Sequence, residues 1–360
     1  MKNRKRLGIL TSGGDCPGLN AAIRAVLTHG ILTNDWEVIG IPYGSHGLAR
    51  RKIVHFDDKT IHFRGIDPLL NTGGTILKSI NKGDPSIEEE QIITGYHDLG
   101  LDALIAIGGD GSLAILRQYA KKGNWNLVGI PKTIDNDVAF TERAVGFDTA
   151  VNTVTDAIEK LSFTASSHDR VMVVEVMGRT AGHLALHAGI AGGADAILIP
   201  EIPYSVNNIC AKVTQIRETI GRNFAIVVVA EGAQTPEGEA RTYTDALGEV
   251  RLRGIGEYLA DEICIASGKQ LEARVTVLGH VQRGGTPSAF DRLLATQFGK
   301  AAVDLVVAEK YDRMVAWQCG KVTSVSLEDV ISRGTVLVDR QDSLIQTAQS
   351  INTYIGEING

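Results

Sequence analysis

The chain has 360 residues, 44% of them hydrophobic, and its 36 basic against 42 acidic side chains give a net charge of −6. That apolar content excludes a disordered chain, and the acidic balance argues against a general nucleic-acid binder, which carries a basic excess. No apolar run reaches the roughly eighteen residues of a membrane span, and the four cysteines (Cys16, Cys210, Cys264 and Cys319) are too scattered for a disulfide framework or a zinc site. The basic start, Met1 to Arg6, leads into an apolar run too short for a signal peptide, so a cytoplasmic protein is expected.

Strands are predicted near 6–11, 36–41, 102–107, 126–130, 170–176, 195–199, 224–230 and 272–278. Helices are predicted near 18–30, 86–99, 112–122, 147–163, 181–191, 205–221, 250–267 and 287–309, with a short strand pair over 318–325. This alternation argues for parallel sheets covered on both faces. Apolar residues at Phe147, Ala150, Val151, Val154, Ala157, Ile158 and Leu161 have helical spacing, long enough to link two α/β domains. The first boundary is expected near residue 140, giving domains of 1–140, with 310–360 returning to it, and 141–309.

The first candidate site, Thr11 to Asn20, follows a strand and opens a helix. Its paired glycines, Gly13 and Gly14, let backbone N–H groups approach a phosphate, although a tight structural turn explains the same residues. Asn71-Thr72-Gly73-Gly74-Thr75, with Lys78 and then Asn81-Lys82-Gly83, reads equally as a phosphate wrap or a solvated loop. Gly108-Gly109-Asp110-Gly111-Ser112 is delivered by a strand and starts a helix. Gly108 and Gly109 allow the turn, a phosphate fits against Gly111, and Asp110 is a hard oxygen ligand suited to Mg²⁺. The competing account is a helix cap made by Asp110 or Ser112.

Pro131-Lys132-Thr133-Ile134-Asp135-Asn136-Asp137 follows the apolar run Leu127–Ile130, which Pro131 is expected to end. It sets an ammonium, a hydroxyl and two carboxylates at the carboxyl end of a strand, where open α/β sheets keep their sites. In the second half Arg170, Arg179, Arg274 and Arg283, with His280, suggest a pocket for an anionic substrate, since the guanidinium fork suits phosphate oxygens. Glu231 suits sugar hydroxyls. The residues by themselves point to phosphoryl transfer from a polyphosphate to a phosphorylated metabolite.

Leu-Thr-Ser-Gly-Gly-Asp-Cys-Pro-Gly-Leu-Asn at 10–20, Ile-Gly-Gly-Asp-Gly-Ser at 107–112 and Pro-Lys-Thr-Ile-Asp-Asn-Asp at 131–137 resemble the 6-phosphofructokinase family. So do Val-Glu-Val-Met-Gly-Arg at 174–179 and Leu-Gly-His-Val-Gln-Arg-Gly-Gly at 278–285, in the same order along the chain. The resemblance implies two Rossmann-like three-layer α/β domains with the active site in the cleft between them. The first domain would bind ATP and Mg²⁺, and the second fructose 6-phosphate. It implies Asp135 as general base on the 1-hydroxyl, Thr133 and Asp137 as neighbours that hold the sugar and the metal-linked network, and Asp110 as Mg²⁺ ligand. Gly14, Gly109, Gly111 and Ser112 would line the donor phosphates. Arg179 and Lys132 would steady the transferring group; Met177, Gly178, Glu231 and His280 would hold the sugar; and Arg170, Arg274 and Arg283 would hold its 6-phosphate. Bacterial relatives lend two of those arginines, here Arg170 and Arg274, to a neighbouring subunit, implying a homotetramer or a homodimer.

The family divides by phosphoryl donor, and this chain mixes the signatures. Gly111 is the ATP type, because pyrophosphate enzymes usually carry Asp there and it repels the α-phosphate. Lys132 is the pyrophosphate type. ATP is the expected donor, with pyrophosphate the alternative. Asn81 replaces a bacterial Arg, leaving the adjacent Lys82 as the cation. In the bacterial effector site Arg24 matches, but two other basic positions fall on Thr28 and Ser162, so weak responses to ADP and phosphoenolpyruvate are expected.

Overall fold

A computed structural model describes residues 4–56, 67–80, 84–246 and 248–357. The strands are β1 (Arg6–Thr11), β2 (Glu37–Ile41), β3 (Val54–His55), β4 (Ala103–Gly108), β5 (Leu127–Pro131), β6 (Val171–Val176), β7 (Ala196–Leu198), β8 (Ala225–Ala230), β9 (Thr242–Thr244), β10 (Val250–Leu252), β11 (Ala273–Val277), β12 (Arg313–Gln318) and β13 (Lys321–Ser326). They divide between two compact units. One is Met1–Thr149 with Arg283–Val336; the other is Ala150–Gln282 with Leu337–Gly360.

In the first unit seven strands run in the order β13-β12-β5-β4-β1-β2-β3. The inner five are parallel, while β3 and β13 pair antiparallel at the two edges. β4 and β5 are buried along their whole length, as expected of apolar strands covered on both faces. From β1 the chain moves to β2 on one side, and β4 then returns to the other side. The sheet therefore reverses direction between β1 and β4, and the loops that follow these two strands open at that crevice. They are the loops after Thr11 and Gly108.

The second unit holds a four-stranded parallel sheet, β11-β6-β8-β7, and the hairpin β9–β10. Its core gathers Val171, Val173, Val227 and Val229 from the sheet with Ile209, Val213, Leu259 and Ile263 from the helices Val206–Ile220 and Ile255–Ala266. These helical positions recur every three or four residues, which turns one face of each helix toward the sheet.

Pro131 ends β5 as expected: it sits opposite Gly108, and its carbonyl accepts Val145 N–H at 3.3 Å. Several other boundaries differ from expectation. Residues 250–252 form a strand, and the helix predicted from 250 begins at Ile255. The first division falls after Thr149 rather than near 140. Buried Asp291, on the helix Ala289–Val307, accepts Gly146 N–H at 2.9 Å and Thr149 N–H at 2.8 Å, tying the start of the helix Phe147–His168 to the first unit. Residues 310–360 do not return together. The stretch to Val336 joins the first unit, whereas Thr353 Oγ1 bonds the Ala194 carbonyl and the Tyr354 backbone bonds Asp195 and Ile197, fixing the end of the chain beside β7.

Candidate functional site

In the first unit the loop after β1 is built against its neighbours. Ser12 N–H bonds the Ile107 carbonyl at 3.0 Å, Gly13 N–H bonds the Ile80 carbonyl at 2.9 Å, and Asn20 Nδ2 reaches the carbonyls of Thr72 and Gly73. The second glycine stretch, 72–80, thus lies beside the first. Asn81 and Lys82 fall outside the described residues. The Arg283 guanidinium packs where a Cβ on Gly14 would stand, and it also donates to the Asp15 carbonyl at 3.3 Å. Arg283 therefore sits with the glycine loop of the first unit.

The loop after β4 opens the helix Asp110–Gly123. Its N-cap is Gly109, with no side-chain cap. Asp110 Oδ1 accepts Gly111 N–H at 2.6 Å, and Oδ2 accepts the Thr335 hydroxyl at 3.0 Å. Gly111 faces open space, with nothing within 4 Å of where a Cβ would stand. Helix N–H groups and the helix dipole here favour an anion. The capping account of Asp110 and Ser112 is not what forms.

Lys132 is buried, and its ammonium donates to the Gly14 carbonyl. Burial depresses its pKa most, and nearby Arg283 depresses it further, while Cys16, Asp15 and Asp135 pull the other way. Cys16, enclosed beside it, is pushed up to about 12 by burial and stays a thiol. Thr133 Oγ1 accepts Asp135 N–H at 3.0 Å and donates to Asp137 Oδ1 at 3.2 Å, which ties together the loop that carries Asp135. Asn136 is scaffold: it takes a left-handed φ of 51° and its amide binds Ala144 N–H and the Glu142 carbonyl.

In the second unit the loops after β6, β8 and β11 come together. Glu231 N–H bonds the Val176 carbonyl at 2.8 Å, Gly232 N–H bonds Gly178 at 3.0 Å, and Gly232 packs where any Cβ would strike the Arg179 carbonyl. Buried Gln282 accepts Met177 N–H at 3.2 Å and donates to the Gly279 carbonyl at 2.9 Å. Met177, Gly178, Arg179 and Glu231 are thereby brought to one end of the sheet with His280, and Arg179 and His280 are exposed.

Arg170 and Arg274 are not part of that group. Arg170 precedes β6 while Met177 follows it, and Arg274 pairs with Met172 near the start of β11. A strand of this length separates its ends by roughly 20 Å. Both guanidiniums bind Glu272, at 3.1 and 2.5 Å. Within the second unit Arg170 and Arg274 thus stand at the opposite end of the sheet from Arg179, because the sequence lists strand-end residues without saying which end.

Two site residues escaped the sequence reading. Gln282 stood inside a recognised motif, but an amide carries no charge to draw attention. Thr335 lies in a stretch with no chemical signal, yet it reaches Asp110 while Val336 N–H binds the Asp137 carbonyl at 2.8 Å. Among the described residues no group of three or more His, Cys, Asp or Glu forms a metal cage, and no helix is long and apolar enough to cross a membrane.

The phosphofructokinase family model matches residues 6–306. ATP-dependent 6-phosphofructokinase 2 of Nostoc sp. (strain PCC 7120) is 57% identical over 354 residues, covering 98% of this chain and 99% of that one. A pyrophosphate–fructose 6-phosphate 1-phosphotransferase of Amycolatopsis methanolica is 47% identical, covering 90% of this chain and 94% of its own. Among solved structures, Pichia pastoris phosphofructokinase in the T-state superposes with a TM-score of 0.80 at 30% identity, over 98% of this chain. This chain spans 37% of the length of that yeast chain.

Proposed function

Because this chain belongs to the phosphofructokinase family, we propose that it transfers the terminal phosphoryl group of ATP to the 1-hydroxyl of fructose 6-phosphate, forming fructose 1,6-bisphosphate in glycolysis. The observation that carries the donor assignment is Gly111: the open space in front of it leaves room for a nucleoside triphosphate, at the N-terminus of a helix. The end-to-end likeness to a 57% identical ATP-dependent enzyme supports the same reading.

Asp135 takes the proton from the attacking hydroxyl. The Thr133–Asp137 pair fixes its loop at the carboxyl end of β5, in reach of the charge of Lys132. The donor phosphates lie along Gly14, Gly109, Gly111 and Ser112. Arg179 and Lys132 steady charge as the phosphoryl group moves, which is most of what this chemistry asks of a protein. Met177, Gly178, Glu231 and His280 hold the sugar, and Arg283, against Gly14, adds charge for phosphate.

The donor set fits Mg²⁺, which binds through one or two carboxylates plus substrate phosphates rather than in an all-protein cage; here Asp110 is that carboxylate. Bound there, the ion would neutralise charge on the phosphates. The position of Arg170 and Arg274 at the far end of β6 and β11 supports their serving a neighbouring subunit's site in a homodimer or homotetramer. We place the enzyme in the cytoplasm.

A second reading, pyrophosphate as donor, is favoured by Lys132 and by the Amycolatopsis relative. Offering MgATP and Mg-pyrophosphate separately with fructose 6-phosphate decides between them. Turnover with ATP alone is expected, and G111D should lose about a hundredfold in kcat/KM for ATP through like-charge repulsion. Turnover with pyrophosphate alone reverses the assignment.

A further inference from the structure

Away from these loops, the second unit has a groove of about 540 Å³ between the helix Val206–Ile220 and the segment 349–356. Its lining includes Asn208, Lys212, Gln215, Gln349 and Asn352, and no lining residue carries a carboxylate. Lys212 is only 9% exposed, and among the described residues its ammonium has no hydrogen bond or ion pair. The nearest acids are engaged elsewhere. Asp195 holds the Arg222 guanidinium and accepts Ile226 N–H at 2.9 Å, while Glu357 binds Asn208 and the Tyr354 hydroxyl at 2.7 Å each. The side-chain amides of Gln215, Gln349 and Asn352 likewise make no hydrogen bond to a side chain among the described residues.

An ammonium that opens into a groove with no carboxylate in its lining offers a charge-assisted hydrogen bond to an anion supplied from solution. Burial depresses the Lys212 pKa, Asp195 raises it and Arg222 lowers it again. The volume lies within the range of metabolite sites, and the amides offer donors and acceptors to orient a small molecule. We propose that this groove binds a small oxyanion-bearing metabolite, a phosphate or carboxylate compound, with its anionic group on Lys212 and its polar remainder on Gln215, Gln349 and Asn352. The site stands whatever donor the catalytic loops use.

The test is thermal-shift and calorimetric titration of the full chain with inorganic phosphate and, separately, with citrate. ADP and fructose 6-phosphate are kept saturating so that the catalytic loops are filled. Saturable binding of at least one anion is expected, weakened about tenfold or more in K212Q through loss of a charge-assisted hydrogen bond. Q215W, at an exposed position on the rim, should block binding without disturbing the core, and serves if K212Q does not fold. Which of the two anions binds distinguishes a phosphate site from a carboxylate site. Absence of saturable binding by both, or equal binding by wild type and variants, overturns the proposal.

Discussion

Asp135 and Lys132 illustrate how little room the reaction leaves at the level of single side chains. Asp135 hangs on a loop held by Thr133 and Asp137, and Lys132 reaches under the glycine loop to the Gly14 carbonyl. D135N should therefore lower kcat by about a hundredfold or more, the usual worth of a positioned base, with the KM for fructose 6-phosphate little changed. Steady-state kinetics at saturating MgATP checks this, and near-normal kcat would remove Asp135 from the reaction. These residue types were legible because glycines, carboxylates and arginines cluster only where chemistry or turns require them. Gln282 and Thr335 were not legible, since a neutral amide and a hydroxyl look like ordinary surface until a partner is seen.

Among the elements, two contacts join parts that no periodicity relates. The segment after the helix Leu327–Arg333 carries Thr335 to Asp110 and Val336 to the Asp137 backbone, so one strand of chain braces both loops. T335V should raise the Mg²⁺ concentration needed for half-maximal MgATP binding roughly fivefold, the worth of one hydrogen bond, leaving the KM for fructose 6-phosphate unaltered. Titrating Mg²⁺ by calorimetry as well as by rate separates this from a general loss of activity. The second contact is between β6 and the helix Ile255–Ala266, where buried Glu175 accepts Gly256 N–H at 2.8 Å. Burial raises the Glu175 pKa, with the Gly256 bond partly offsetting it, Glu257 adding to the rise and Arg253 opposing it. A carboxyl with a higher pKa in the folded state binds its proton more tightly there. Its stabilisation is complete below the unfolded value near 4.5 and is lost as pH rises through the folded value. E175Q should accordingly flatten the fall in Tm as pH rises above about 4.5, measured by calorimetry; an unchanged profile would exclude Glu175 as its source. Most strands and helices were readable from apolar runs and spacing. The hairpin β9–β10 was not, because its residues are exposed and its pattern blends into the helix that follows.

For the whole molecule, the distance along β6 makes a prediction about assembly. If Arg170 and Arg274 serve a neighbouring subunit, chains carrying D135N and chains carrying R274A are each nearly inactive, yet subunit exchange restores activity by pairing an intact base with an intact arginine. Mixing the two after mild dissociation and assaying the hybrids tests this; no recovery, with hybrids confirmed by native mass spectrometry, places both residues in one chain's site. The sequence alone determined the fold class, the glycine loops, the order of the motifs and the family, because hydrophobic period and turn chemistry act over a few residues and are written locally. Only the tertiary structure decided where the units divide, that Thr353 and Tyr354 close onto β7, which end of a strand each arginine occupies, and that Thr335 braces Asp110. Those outcomes depend on buried polar groups such as Asp291 finding partners more than a hundred residues away, and such pairings leave no mark on local composition.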